Sequence, residues 1–239
     1  MTAHVPVLNY HKVAEIPPAA RHPENYVRPR QFAAQLKLLR LAGFESVTMS
    51  QYVAYRKGQG TLPPRPVMIT FDDGYRSNRN IAFPLMREHG LTATVFIVSG
   101  LVGGTNRWDP GDMQEPLLDL HDLRELQTEG IEFQSHTRTH PRLTEIPPRQ
   151  ALLELTESRD ELAQMLGAPV EVVAYPWARH DPSVEKLAED AGYLAGATLR
   201  RRVNFDDTPL FALRRIGVAH TTSITRFGWD LFRLRWRGE

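Results

Sequence analysis

Short apolar runs rich in β-branched residues alternate with segments of helical period, and that alternation constrains the fold more than any other feature. VPVLNY precedes the helical RQFAAQLKLLRLAG. ESVTM, VMITF, a helix near IAFPLMREHG, ATVFIV, the helix DLRELQTEG and IEFQS follow. The long helix RQALLELTESRDELAQMLG, VEVVAY, the helix PSVEKLAEDAGY, LAGATL and ALRRIGV complete the series. Such repetition predicts a parallel sheet. The helices rest on period: Phe32, Leu36 and Leu39 recur at helical spacing, and Leu152, Leu155, Leu162 and Leu166 trace a similar face. Gly43, Gly90, Gly130, Gly167 and Gly192 each follow such a run, where a left-handed C-cap takes glycine. About seven or eight strands are expected, and no glycine-rich dinucleotide turn follows an early strand, so closure into a (β/α) barrel is favoured over an open sheet.

Residues 1–239 are expected to form one domain, with 41% hydrophobic content to build its core. Basic and acidic side chains nearly cancel, at 29 against 28, which gives no field to gather nucleic acid. There is no cysteine, so a metal would have to be held by His, Asp or Glu. No run of about 18 apolar residues predicts an integral membrane segment. MTAHVPVLNYHKV lacks the pattern of a secretory signal, so the sequence as given reads as cytoplasmic. Two segments rich in Pro, Gly and polar residues interrupt the rhythm, IPPAARHPENYVRP and GGTNRWDPGDMQEP. On a barrel, loops of this kind form the active-site rim.

VMITFDDGYRSN places Asp72 and Asp73 at the end of a buried strand. Alternation along a strand sends the two side chains to opposite sides, which predicts two different roles. SHTRTH, again directly after an apolar strand, carries His136 and His140; four residues apart, they come to one side if the chain makes a helical turn. Two imidazoles and the Asp73 carboxylate make a donor set of the catalytic zinc type, with positions left for water and substrate. Asp72 then stands beside an activated water as general base. VVAYPWARHDP adds an aromatic-proline-aromatic group at a third strand end, a hydrophobic wall with a backbone N–H for an oxyanion.

In these motifs the sequence resembles the polysaccharide deacetylases (carbohydrate esterase family 4, the NodB-homology domain), nearest the branch acting on poly-N-acetylglucosamine. TFDDGY matches the family's first motif, SHTRTH its H-[ST]-x-x-H motif, and AYPW takes the place of its third. The resemblance implies a distorted (β/α) barrel, usually of seven strands, and metal-dependent removal of acetyl groups from an N-acetylated glycan. It implies Asp72 as base, Asp73, His136 and His140 as metal ligands, and the Trp177 backbone N–H as oxyanion donor. Tyr75, Tyr175 and His11 become substrate contacts. The metal is expected to be Zn2+, with Co2+, Ni2+ or Fe2+ also suited to these donors.

Two departures stand out. Many members begin the third motif with an arginine that orients the base, where this chain has Ala174. A late Leu-x-Ile-x-x-His motif supplies the general acid in many members; in LRRIGVAH, His220 is one residue out of register, which leaves His220, His180 and His11 as candidates. The alternatives are an amide hydrolase with a non-sugar substrate, a non-catalytic saccharide-binding relative and, more remotely, an iron(II) oxygenase. The tail TRFGWDLFRLRWRGE interleaves Arg226, Arg233, Arg235 and Arg237 with Phe227, Trp229, Phe232 and Trp236; its aromatics are expected to pack on the barrel and its arginines to face water.

Overall fold

Residues 4–236 are described in the computed structural model, the side chains of 233–236 excepted. Seven short strands carry the architecture: β1 (Val7–Tyr10), β2 (Pro66–Phe71), β3 (Thr94–Ile97), β4 (Glu132–Ser135), β5 (Val172–Ala174), β6 (Ala195–Ala197) and β7 (Ile216–Gly217). They pair in parallel in the spatial order β7-β1-β2-β3-β4-β5-β6. Between the two ends of that order, a single segment makes the seam. Leu213 forms a parallel bridge to Ala197, while Ile216 and Gly217 pair with Leu8 and Asn9. The sheet is thus a curled, distorted seven-stranded (β/α) barrel whose last segment, residues 213–217, touches both of its ends.

Strand alternation sorts the apolar side chains into two layers. Val67, Ile69 and Phe71 of β2 join Leu8, Tyr10, Val95 and Phe133 in a cluster with helical residues such as Phe32, Leu36, Phe83 and Leu155. The opposite faces gather Val7, Met68, Phe96, Val172, Ala174, Ala195 and Ala197 inside the barrel. Small side chains on β5 and β6 let that interior fill rather than form a pore. The inward rows then become polar toward the strands' C-terminal ends. Val7 is followed inward by Asn9, Met68 by Thr70 and Asp72, and Gln134 by His136. A polar layer therefore caps the apolar one.

Helices Pro29–Leu41, Ala82–Glu88, Leu120–Thr128, Pro148–Leu166 and Pro182–Asp190 stand where the hydrophobic period places them. The five glycines that follow them all have positive φ. Gly167 is the clearest of these caps: at φ 61° its N–H donates to the Ala163 carbonyl, 2.9 Å away, closing the longest helix.

Two expectations change. ESVTM yields only the pair Glu45–Ser46, because Thr48 and Gln51 form a capping box that starts a helix at Met49–Arg56. In the terminal helix Ile224–Trp236, Phe227 and Leu231 pack inward at helical spacing, which turns Trp229 and Phe232 outward, 59% and 56% exposed. Arg226 is exposed, as expected. Arg237 and the side chains of Arg233, Arg235 and Trp236 lie outside the described residues.

Candidate active site

The pair of aspartates is not presented by simple strand alternation. β2 ends at Phe71, and Asp73 and Gly74 then take left-handed backbone, φ 73° and 76°. A Cβ at Gly74 would lie 2.7 Å from Ile97 Cδ1, so glycine suits this turn twice over. The turn brings both carboxylates to one cleft at the C-terminal end of the barrel.

Asp72 continues the inward row of β2 and is held from both sides. Arg215, just before β7, donates from Nη1 to Oδ1 at 2.6 Å and from Nη2 to Oδ2 at 2.9 Å, a bidentate pair. Asn9 of β1 donates to Oδ2 at 3.1 Å, while its own Oδ1 accepts from Thr70 and from Arg215. Arg215 also donates from Nε to the Thr198 carbonyl, so it ties the barrel seam to Asp72. Burial opposes ionisation of Asp72. The Arg215 guanidinium, with His136 and His11 nearby, outweighs burial and holds the carboxyl well below the usual carboxylate range.

The histidines arrive by a different route from the helical turn that their spacing suggested. β4 ends at Ser135, and residues 136–140 form an irregular loop in which Thr137 and His140 both have φ 65°. Glu154, from helix Pro148–Leu166, ties that loop down by accepting from the Arg138 and Thr139 N–H groups and from the Thr139 hydroxyl, at 2.6–3.0 Å. His136 Nδ1 lies 2.8 Å from the Ala174 carbonyl, so this nitrogen carries the proton and donates, and Nε2 faces the cleft with its lone pair. Burial pushes the His136 imidazole down to about 4, against the opposing pull of Asp72, and keeps it neutral and able to ligate.

Both Nε2 atoms converge on one oxygen. Asp73 Oδ1 is 3.5 Å from His136 and 3.4 Å from His140, and all three residues are buried. Asp73 Oδ1 and His140 Nδ1 have no hydrogen-bond partner among the described residues. Donors about 2.1 Å from one centre at tetrahedral angles lie about 3.4 Å apart, so the three residues fit a divalent transition cation. Burial opposes ionisation of Asp73 too, but His140, with His11 and His136, holds its carboxyl below the ordinary range.

Four aromatic residues line the cleft around these donors. Tyr75 follows the aspartate turn. Trp108, from the 103–116 loop, lays its ring 4.6 Å from that of His140 and edge-on to Tyr75. Trp177, at φ 59°, brings its ring 5.2 Å from His140 and donates its indole N–H to the His140 carbonyl at 3.2 Å. Tyr175 also lines the cleft, but it is 1% exposed and its hydroxyl donates to the Phe211 carbonyl.

The three general-acid candidates separate cleanly. His11 lines the cleft with Nε2 3.9 Å from Asp72 Oδ2. His180 pairs with Glu185 and stacks on the Tyr175 ring, and His220 lies against the Pro23 carbonyl; neither is among the described residues lining the cleft. Arg215 and Trp108 had not been singled out from the sequence. Arg215 carries no spacing signal, lying 143 residues from Asp72, whereas Trp108 sat in a loop already marked as rim.

The polysaccharide deacetylase profile matches residues 59–196, more than half of the chain. The chain belongs to the polysaccharide deacetylase family. The matched span contains Asp72, Asp73, His136, His140 and Trp177, whereas Arg215 and His11 lie outside it. YxkH of Bacillus subtilis is 27% identical over 226 residues, covering 95% of this chain and 75% of its own. The poly-β-1,6-N-acetyl-D-glucosamine N-deacetylase of Staphylococcus epidermidis is 24% identical over 245 residues, covering 94% and 83%. In fold, the chain is similar to the Streptococcus pyogenes deacetylase PplD, solved in complex with acetate, with a TM-score of 0.85, 24% identity and coverage of 97% and 99%. As a member of the family, the protein is a carbohydrate deacetylase.

Proposed function

We propose that this deacetylase is a single-domain, metal-dependent enzyme that hydrolyses the acetamide of an N-acetylated glycan, with a poly-N-acetylglucosamine type of polymer as its substrate. The observation that carries the reading is the unpartnered Asp73 oxygen between two histidine nitrogens, with Asp72 locked beside it. Asp73, His136 and His140 would hold a divalent cation, zinc first by donor set. When bound, it would supply Lewis acidity at the acetamide carbonyl and make a nearby water more acidic.

Asp72, ionised at neutral pH, takes a proton from the attacking water. The Trp177 backbone N–H steadies the negative charge that develops on the carbonyl oxygen. His11, on the Asp72 side of the cleft, delivers a proton to the departing nitrogen as the C–N bond breaks, leaving acetate and an amine. Trp108 and Trp177, less buried than Tyr75 and Tyr175, offer aromatic surface to the sugar. The polymer assignment follows the named activity of the Staphylococcus epidermidis relative.

The missing arginine at Ala174 and the displaced His220 favour a non-catalytic reading; Arg215 answers the first by supplying a guanidinium from just before β7, while the second stands. The test is acetate release from a panel of N-acetylated glycans and cyclic amides, before and after chelation, with zinc, cobalt or nickel restored. Release from glycans alone, abolished by chelator and recovered with metal, is expected. Turnover confined to cyclic amides would redirect the substrate class.

A further inference from the structure

One buried charge near the cleft has no part in the mechanism above. Lys12 sits immediately after His11 in the two-residue strand Lys12–Val13, which pairs with Tyr26–Val27, and its side chain is fully buried. Its ammonium donates to Glu115 Oε1 at 2.5 Å and to the Tyr26 hydroxyl at 3.2 Å, and lies 3.9 Å from Asp112. Tyr26 donates to the same Glu115 oxygen at 2.6 Å. The ammonium also packs on two rings, 4.6 Å from the centre of Tyr26 and 4.2 Å from that of Tyr75.

An ammonium taken out of water is expensive even when paired, and an apolar side chain could fill the same space. What a methionine or leucine could not do is join these particular elements. Glu115 belongs to the loop that carries Trp108, and its N–H donates to Asn106 Oδ1 at 2.7 Å, which braces the loop from within. Tyr75 follows the aspartate turn and meets Trp108 edge-on. His11 is covalently next to Lys12, and its carbonyl accepts from Asn78 at 2.6 Å. Three pieces of the cleft wall, each from a different part of the chain, therefore meet at one charge.

We propose that Lys12 is a positioning residue for the deacetylation: its buried ammonium, joined to Glu115 and Tyr26 and packed on Tyr75, fixes His11, Tyr75 and Trp108 as one wall that seats the acetylated sugar. This rests on the carbohydrate deacetylase reading. Lys12 touches neither the substrate nor the cation donors and acts through that wall.

The test compares two substrates in Lys12→Met, an N-acetylated oligosaccharide and a small aryl acetate, whose leaving group needs neither a sugar seat nor a proton donor. Loosening the wall is expected to lower kcat/KM on the oligosaccharide at least about tenfold, the scale set by small errors in positioning. Aryl acetate turnover should stay within about twofold, and one zinc should still bind per chain. In a Trp108→Ala background the same change should cost much less, because the wall is already open. An equal fall on both substrates would mean that Lys12 only supports the fold, and no change on either would mean that the wall holds without it; both results overturn the proposal. If Lys12→Met does not fold, Glu115→Gln keeps the shape of the cluster and is read by the same substrate ratio. Failure of the unaltered protein to release acetate from any acetylated glycan would instead sink the deacetylase reading itself.

Discussion

The two adjacent aspartates sit in opposite states of completion. Asp72 is saturated: Arg215 grips both oxygens and Asn9 adds a third hydrogen bond, with every partner buried. Asp73, one residue on, leaves Oδ1 without a hydrogen bond between two histidines that leave space between them. A buried acceptor without a partner is costly unless something else occupies that position. In the proposed reading, the proton-accepting side of the site is completed by the chain's own residues, and Asp73, His136 and His140 on the other side would hold a cation. Substitutions on the two sides should fail in different ways.

The largest separation is expected between Asp72→Asn and His136→Ala. The first removes the proposed base and keeps the three proposed donors, so turnover should fall by about 10²–10⁴, the range for loss of general base catalysis, while bound zinc stays at one per chain. The second removes a donor, and both zinc and turnover should disappear. Metal analysis alongside acetate release checks both. Wild-type turnover in Asp72→Asn would remove Asp72 from the base role.

Arg215→Met tests whether the saturated side depends on its guanidinium. A buried carboxylate left without its counter-charge costs about 3–5 kcal/mol, and the fall should appear in denaturant unfolding at pH 7. The pH dependence should also change. In the unaltered chain the depressed Asp72 pKa contributes stability that is fully present above its unfolded value of about 3.9 and is lost as pH falls through the lower folded value. Without Arg215, burial acts with less opposition and the folded pKa rises. The variant should then lose less stability on acidification than the unaltered protein, and the acid limb of kcat/KM should move to higher pH. An unchanged limb would mean that Asn9, His11 and His136 suffice to hold the carboxylate.

The same contrast explains what could be read from the sequence. Asp72, Asp73, His136 and His140 sit in two short motifs at strand ends, and the barrel follows from strand–helix alternation with glycine caps. Those features are local. Arg215 is not, because its pairing with Asp72 exists only once β7 lies beside β1 and β1 beside β2. From the missing arginine at Ala174 the sequence pointed to a gap, whereas the closed barrel fills it from across the seam. The His136–His140 pair was legible for a mistaken reason, since a loop with two left-handed residues, braced by Glu154, does what a helical turn was expected to do. The Thr48–Gln51 capping box was legible in principle, but the β-branched ESVTM outweighed it.

On the open side, Glu154→Ala should weaken zinc binding about tenfold, as loss of a residue supporting the ligands does. It removes three hydrogen bonds that shape the 137–140 loop while leaving all donors in place. Competition against a chelating dye measures the change, and Asp72 and Arg215 should be untouched, so turnover at saturating zinc should recover to near the starting value. Persistent loss of turnover at saturation would mean that the loop also shapes the base side.

The smallest effect is expected from Trp177→Phe, which separates two functions of one residue. The ring against His140 remains, the indole N–H to the His140 carbonyl is lost, and the backbone N–H is unaltered. At 3.2 Å that hydrogen bond sits at the long end of the usual range, and its removal should cost about 0.5–1.5 kcal/mol of stability. Zinc affinity should fall only a few-fold, since His140 loses one brace and keeps its own N–H bond to Thr137. kcat at saturating zinc should hardly move if the oxyanion is met by the backbone. A large fall in kcat with zinc fully bound would shift that role from the Trp177 backbone to its indole, and would make the open side of the site responsible for more than holding a cation.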